Sequence, residues 1–292
     1  MAESSTEARH PASEGFHTLA GQEALAVLLD AQVEALDALR PTIPALERVA
    51  DAAAASLRAG GKLGYAGAGS SGLMALADCL ELAGTFGIAP ERTPMMLAGG
   101  TQSLLRLTGS VEDDPALALA DLDRSGLGAG DTLLCLSASG RTPYALAMAE
   151  AARARGVTVA GFANVAGSAL LTLADIPVLV ATGPEVISGS TRMGAATAQK
   201  VALNMVSVLA AMRLGHVHDG YMVNLVADNI KLIDRAARIV AAIAGVSRDE
   251  AVAALARTDG AVKPAILVAR GMAPGAAGAA LAASGGHLAP LL

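Results

Sequence analysis

Apolar and polar residues alternate along the chain in blocks that predict strands and helices in turn. Segments with apolar residues at helical spacing, such as residues 143–155, separate short apolar runs of the length of buried strands. Five such runs are found, over residues 62–66, 94–97, 131–136, 157–162 and 176–180. This order predicts a three-layer α-β-α sandwich with a five-stranded, mostly parallel sheet.

The two ends of the chain have different patterns. Residues 1–20 lack periodic apolar positions and predict an irregular arm, which is followed by a helical pattern with a proline break. Near the C-terminus the pattern is wholly helical, and Ser247 and Glu250 have the spacing of a capping box. We expect an N-terminal arm with helices over residues 1–50, a central α/β domain over 51–225, and a C-terminal helical subdomain over 226–292.

Composition restricts the possible partners and the compartment. The chain has 292 residues, a net charge of −6, no run of Lys or Arg, and only 2% aromatic residues, so we expect no nucleic-acid partner. We see no apolar signal segment at the N-terminus and expect a cytoplasmic protein with no membrane partner. Cys79 and Cys135 lie in apolar segments and predict buried thiols in a reducing compartment.

The histidines give no clear metal signal. His216 and His218 are separated by one residue and have no third candidate ligand nearby in the sequence. Isolated pairs of this kind are more often surface histidines than metal ligands. We therefore expect no metal.

Two turns rich in glycine and serine carry the clearest chemical signal. Residues 67–72 and 137–142 each follow a predicted strand and begin a predicted helix, and a third polar cluster over 183–192 follows the fifth strand. Glycine permits close approach of a ligand, hydroxyls donate hydrogen bonds, and helix N-termini attract anions. Because parallel strands end at one edge, the three segments predict a site for one phosphorylated, hydroxyl-rich ligand. The candidate binding residues are Gly69, Ser70, Ser71, Ser137, Ser139, Gly140, Arg141, Thr142, Glu185, Ser188, Ser190 and Thr191.

The first turn also partly matches the patterns of nucleotide-binding sites. Its glycines satisfy G-x-G-x-x-G, but a dinucleotide site also needs an acidic residue after the next strand, where residues 98–100 are Ala-Gly-Gly. The lysine of a phosphate-binding P-loop is missing as well. A purely structural turn is disfavoured, since two similar turns with paired serines follow two different strands.

Longer strings resemble a known family. The turns are similar to those of the sugar isomerase (SIS) superfamily, and several strings resemble the N-acetylmuramic acid 6-phosphate etherases. These strings are Thr6-Glu7, Ser139-Gly140-Arg141-Thr142-Pro143-Tyr144, Thr182-Gly183-Pro184-Glu185-Val186-Ile187, Gly189-Ser190-Thr191-Arg192-Met193 and Ala198-Gln199-Lys200. The resemblance extends over nearly the whole chain, including terminal helices similar to that family's ubiquitin-associated-like bundle.

The resemblance implies a carbon-oxygen lyase that needs no cofactor. Such an enzyme splits the lactyl ether of N-acetylmuramic acid 6-phosphate by elimination and then hydration, which gives N-acetylglucosamine 6-phosphate and D-lactate. The family's acidic positions fall on Glu81, as the acid that assists lactate departure, and on Glu112, as the base, with Asp113 as the alternative base. Two carboxyl groups in different environments suit these two roles. The apolar neighbours of Glu81 predict that its side chain is partly buried.

Departures from the family, among them the loss of two cations and several polar groups, leave other functions open. Leu73 and Gly194 stand where the etherases have Arg and Lys. A non-catalytic phosphosugar sensor and an SIS isomerase acting on another phosphosugar are therefore alternatives. We also expect a homodimer through the arm and the apolar helix over residues 191–214, with sites that borrow residues across the interface.

Overall fold

A five-stranded parallel sheet forms the framework of the chain. The computed structural model describes residues 6–225, 227 and 230–292. Within these residues the strands are β1 (Leu63–Gly67), β2 (Met95–Leu97), β3 (Thr132–Leu136), β4 (Thr158–Ala163), β5 (Ile176–Leu179), β6 (Val217–His218) and β7 (Tyr221–Met222). The sheet order is β2-β1-β3-β4-β5, and β6 and β7 form a separate antiparallel pair.

Helices connect the strands and make up most of the C-terminal part. They are α1 (Gly21–Asp37), α2 (Ile43–Arg58), α3 (Gly69–Phe86), α4 (Gln102–Leu105), α5 (Pro115–Ser125), α6 (Pro143–Ala154), α7 (Ala169–Leu173), α8 (Gly194–Arg213), α9 (Ile230–Ala244), α10 (Arg248–Ala256), α11 (Val262–Ala269) and α12 (Pro274–Ala283). By length and composition α8 could cross a membrane, but 56% of its apolar stretch is buried inside the protein, as in a core helix.

The predicted sandwich is confirmed. All five predicted strands are present within two residues of their expected bounds, and every pairing between them is parallel. Helix α3 begins at Gly69, so the serine turn itself forms the first turn of the helix. In the helical C-terminal part, α9 begins at Ile230, and residues 226, 228 and 229 lie outside the described residues.

Packing divides the chain into two compact units. The first comprises the chain up to Cys79 together with Glu91–Val206, and the second comprises Leu80–Pro90 and Ser207–Leu292. The three-part organisation over residues 1–50, 51–225 and 226–292 is a division by sequence pattern and stays a prediction.

One face of the sheet in the first unit packs against α5 and α6. Leu133 and Cys135 of β3 and Val159 of β4 point to this face because side chains alternate along a strand. They join a buried cluster with Leu122 of α5 and Met148 of α6. Burial in this cluster raises the pKa of the Cys135 thiol to about 12, which fits the predicted inert thiol.

The opposite face of the sheet contains a buried polar chain. Tyr65 of β1 is fully buried, and its hydroxyl donates a 2.9 Å hydrogen bond to Asp78 Oδ2 on α3. Asn204 Nδ2 on α8 donates to Asp78 Oδ1 at 2.7 Å. Both Asp78 oxygens are thus satisfied although the residue is buried, so this carboxylate ties α3 and α8 to the sheet.

The second unit has its own apolar core. Buried side chains from α9, α10, α11 and α12 form one cluster, which includes Val240, Ile266 and Leu281. The predicted capping box begins α10, since Ser247 Oγ accepts a hydrogen bond from Glu250 N and Glu250 Oε2 accepts one from Ser247 N.

The end of β1 and the first turn of α3 approach each other more closely than side chains permit. A Cβ atom on Gly67 would lie 2.9 Å from the Gly72 Cα atom, and one on Gly72 would lie 2.7 Å from the Gly67 carbonyl oxygen. Both positions therefore require glycine. The contact places the N-terminus of α3 directly at the edge of the sheet.

The substitution Gly72→Ala tests this contact. The added methyl group overpacks the junction between β1 and α3, so we expect the free energy of unfolding to fall by about 2–3 kcal/mol. Gly84→Ala in the same helix is the matched control, because a Cβ at Gly84 meets no atom within 4 Å. Gly84→Ala should raise the free energy of unfolding by about 0.5–1 kcal/mol. Urea unfolding measures both, and equal effects of the two variants would contradict the close contact.

Candidate active site

A polar cavity lies where β1 and β3 end. Its volume is about 260 Å³, and all of its lining residues belong to the first unit. Ligands of open α/β sheets characteristically bind at this edge. The lining residues are Thr6, Glu7, Ala68, Gly69, Ser70, Ser71, Glu112, Ser137, Ala138, Ser139, Thr142 and Thr191.

The first serine turn contributes the N-terminus of α3 to the cavity. Gly69 has a positive φ of 52°, which a residue with a side chain rarely adopts. Ser70 is half-buried and Ser71 is buried, and both line the cavity. The turn thus presents two hydroxyls beside the unpaired N–H groups that begin an 18-residue helix.

Glu112 is held against this turn. A Cβ on Gly69 would lie 2.6 Å from Glu112 Oε1, so the glycine makes room for the carboxylate. The Glu112 backbone is fixed on both sides, because its N–H donates to the Gly109 carbonyl and its carbonyl accepts from the Tyr144 N–H, each at 3.0 Å. Partial burial, followed by the charge of Asp113, raises the pKa of Glu112 above its ordinary value.

The second serine turn is a network of hydroxyls at the start of α6. Ser137 Oγ lies 2.8 Å from Thr142 Oγ1 and 3.4 Å from Ser139 Oγ. The Gly140 N–H donates to Ser137 Oγ at 3.0 Å. Gly140 has a positive φ of 63°, and a side chain there would collide with Ser168 Oγ. Gly140 therefore shapes the turn from outside the cavity, while Ser137, Ser139 and Thr142 line it.

The third polar cluster divides between the cavity and the start of α8. Thr191 lines the cavity. Buried Glu185 accepts hydrogen bonds from the N–H groups of Gly194 at 3.0 Å and Ala195 at 2.9 Å, so both of its oxygens cap α8. Ser188 Oγ donates to the Glu7 carbonyl at 2.9 Å.

Several other predicted site residues lie outside the cavity lining. Ser190 is half-buried, whereas Arg141 and Asp113 are exposed. Glu81 belongs to the second unit and is exposed, so the predicted partial burial of its side chain is wrong. Helix geometry explains this, because Cys79 and Leu82 are buried while Leu80 is 68% exposed, so Glu81 lies on the exposed side of α3 beside Leu80.

Sequence reasoning did not assign Thr6 and Glu7 to the site. The irregular arm brings both to the cavity, where Thr6 is buried and Glu7 is exposed. No periodic pattern marks this segment, and the only signal was the Thr6-Glu7 string among the family-like motifs.

The hydrogen-bond donors that line the cavity are neutral groups. Its charged lining residues are Glu7 and Glu112, and no Lys or Arg is found among the lining residues given above. An anion would be stabilised by the hydroxyls and by the N-termini of α3 and α6. Among the described residues, no group of three or more His, Cys, Asp or Glu side chains could hold a metal ion.

His216 lies in a different environment from the one predicted. It is half-buried rather than a surface histidine. Burial, and then the charge of Lys263, lowers its pKa to about 4, so the imidazole is neutral at physiological pH.

The parallel sheet, with a serine-lined cleft at its carboxyl edge, defines the SIS-domain class. The SIS domain model matches residues 30–164. The structure is similar to a putative phosphosugar isomerase involved in capsule formation from Bacteroides fragilis, with a TM-score of 0.54 and 21% identity, covering 69% of this chain and 95% of that one. A putative sugar-phosphate isomerase from Listeria monocytogenes has a TM-score of 0.50 and 18% identity, covering 66% and 92%. These likenesses concern the fold.

Curated relatives define the family. The chain is 41% identical to the N-acetylmuramic acid 6-phosphate etherase of Deinococcus radiodurans over 97% of this chain and 93% of the relative. It is also 41% identical to the etherase of the same name from Yersinia pestis, over 90% and 89%. The chain belongs to the N-acetylmuramic acid 6-phosphate etherase family.

The raised pKa of Glu112 can be tested directly. A carbon-13 NMR titration of the glutamate carboxyl groups should place the Glu112 midpoint above that of an exposed glutamate. Asp113→Asn should move the midpoint down, because it removes the negative charge that disfavours ionisation of Glu112.

Asp114→Asn is the matched control for this titration. This substitution removes the negative charge at position 114, one residue beyond Asp113 in the chain. Asparagine can replace Asp114 as the N-cap of α5. The control should leave the Glu112 midpoint nearly unchanged. A Glu112 midpoint at the exposed value in the unsubstituted protein would contradict the burial of this carboxylate.

Proposed function

We propose that this protein is a lyase that cleaves the lactyl ether of N-acetylmuramic acid 6-phosphate. The products are N-acetylglucosamine 6-phosphate and D-lactate, and the reaction is an elimination followed by the addition of water. Family membership over nearly the full chain supports this proposal. The half-buried Glu112 carboxylate within a serine-lined cavity is the structural observation that supports it most strongly.

Glu112 has the properties of a base for this reaction. In the open-chain sugar the aldehyde makes the C2 proton acidic, and a carboxylate with a raised pKa removes such a proton more readily than an ordinary one. The electron pair from the C2–H bond forms the C2–C3 double bond while the C3–O bond to lactate breaks. Water then adds at C3, and C2 regains a proton. Asp113 is exposed and does not line the cavity, which favours Glu112 over it as the base.

The serine turns would bind the phosphate group of the substrate. Hydroxyls of Ser70, Ser71, Ser137, Ser139 and Thr142 surround the N-termini of two helices. Hydrogen bonds to a charged acceptor are stronger than those between neutral groups, so several hydroxyls compensate for a missing cation. The phosphosugar would lie with its phosphate at these turns and its C2 and C3 toward Glu112.

The role of Glu81 suggests an assembly of two copies. Glu81 is exposed, and the elimination needs an acid at the lactate oxygen. A homodimer in which Glu81 enters the partner's cavity would supply that acid. Exposed apolar side chains support an interface, since Leu80 beside Glu81 is 68% exposed and Leu25, Leu29 and Val33 form an exposed stripe along α1. We place this dimer in the cytoplasm.

The lyase activity is measured as lactate released from N-acetylmuramic acid 6-phosphate by the purified protein. Glu112→Gln should lower kcat by a factor on the order of 100 to 10,000, because a general base is lost. Asp113→Asn should retain most of the activity, and so should Asp114→Asn as a control for the loop charge. Tight binding of the substrate without lactate release would favour a phosphosugar sensor instead, and lactate release by Glu112→Gln at the wild-type rate would rule out the assigned base.

A mixed dimer tests whether Glu81 acts across the interface. Glu81→Gln and Glu112→Gln chains with different affinity tags are co-expressed, and the heterodimer is purified through both tags. Each homodimer should be inactive, whereas the heterodimer should have about half of the wild-type activity, since one composite site is intact. An inactive heterodimer would place both groups on one chain, and a monomer in light scattering would exclude the assembly.

A further inference from the structure

Glu7 is a second carboxylate at the cavity, on a segment that we call the N-terminal strap (residues 6–13). It lines the cavity together with Glu112, but it lies at the exposed rim. Its side chain rests against Gly189, where an added Cβ would lie 3.0 Å from Glu7 Oε2. Gly189 has a positive φ of 72°, so the loop that receives the carboxylate favours glycine at this position.

Two serine hydroxyls hold the strap in place. Ser188 Oγ donates a 2.9 Å hydrogen bond to the Glu7 carbonyl, and Ser13 Oγ donates a 2.6 Å bond to the Val186 carbonyl. Both bonds join the strap to the loop between β5 and α8. The backbone of Glu7 is thereby fixed relative to the cavity, which limits the positions available to its carboxylate.

Charge determines which part of a ligand Glu7 would face. A carboxylate repels a phosphate and accepts hydrogen bonds from hydroxyl and amide N–H groups. The hydroxyls and helix N-termini among the other lining residues suit the phosphate, which leaves the sugar portion for Glu7. An amino sugar has both kinds of donor.

We propose that Glu7 is a substrate-contacting residue that recognises the sugar portion of the phosphosugar by accepting hydrogen bonds from it. This inference rests on the proposed function for the identity of the sugar. Glu7 would thus determine specificity for the amino sugar, whereas the serine turns bind the phosphate that all sugar phosphates share.

Binding measurements separate the two contributions. Calorimetry is carried out with N-acetylglucosamine 6-phosphate and with inorganic phosphate as probes. Glu7→Ala should weaken binding of the sugar phosphate about tenfold or more, because a hydrogen bond to a charged group is lost. Binding of inorganic phosphate should remain unchanged or become slightly tighter, since a negative charge has been removed.

Glu14→Ala is the matched control. Glu14 is also exposed, and the substitution removes the same side chain close to the strap without touching the cavity. It should bind both probes as the unsubstituted protein does. Ser188→Ala, which releases the Glu7 carbonyl, should give a smaller loss for the sugar phosphate alone.

The outcomes distinguish this inference from the proposed reaction. If Glu7→Ala binds the sugar phosphate as tightly as the unsubstituted protein does, the role of Glu7 is overturned. The role is also overturned if Glu7→Ala loses the same amount of affinity for the sugar phosphate and for inorganic phosphate. Sugar-phosphate binding that depends on Glu7, in a protein that releases no lactate, would support the contact and contradict the lyase.

Discussion

The close contact between Gly67 and Gly72 is the constraint on which the site depends. Neither position has room for a Cβ atom, so the end of β1 and the first turn of α3 meet backbone to backbone. This contact places the α3 N-terminus at the sheet edge, where its N–H groups and the serine hydroxyls converge with those of α6. Glu112 then lies against Gly69, two residues beyond the strand. A bulkier junction would move the helix away from the sheet and open the cavity.

An anion in this cavity would meet hydroxyls and helix N-termini rather than cations. The family resemblance implies that Leu73 and Gly194 replace an Arg and a Lys of the etherases, and the lining contains hydroxyls and two carboxylates. Packing accounts for one of these changes. A Cβ on Gly194 would lie 2.9 Å from the Ala35 Cβ and 3.1 Å from Glu185 Oε2, so α1 and the capping carboxylate leave no space for a longer side chain. We have no comparable packing reason for Leu73, which is half-buried.

The sequence predicted the framework well because the governing signals are local. Short apolar runs located all five strands, and the hydroxyl-rich turns placed Ser70, Ser137 and Thr142 together through the geometry of a parallel sheet. Long-range contacts were not predictable in this way. The capping of α8 by Glu185 and the arrival of Glu7 at the cavity depend on tertiary packing of segments without periodicity. Helical spacing alone also could not show that Leu80 and Glu81 are exposed.

The central claim is that the serine turns hold the phosphate while Glu112 faces the reacting carbons. A crystal structure with bound N-acetylglucosamine 6-phosphate tests it most directly. We predict that the phosphate oxygens lie within hydrogen-bond distance of the Ser137, Ser139 and Thr142 hydroxyls and that C2 lies next to the Glu112 carboxylate. A phosphate bound elsewhere, or a sugar whose C2 points away from Glu112, would contradict the account.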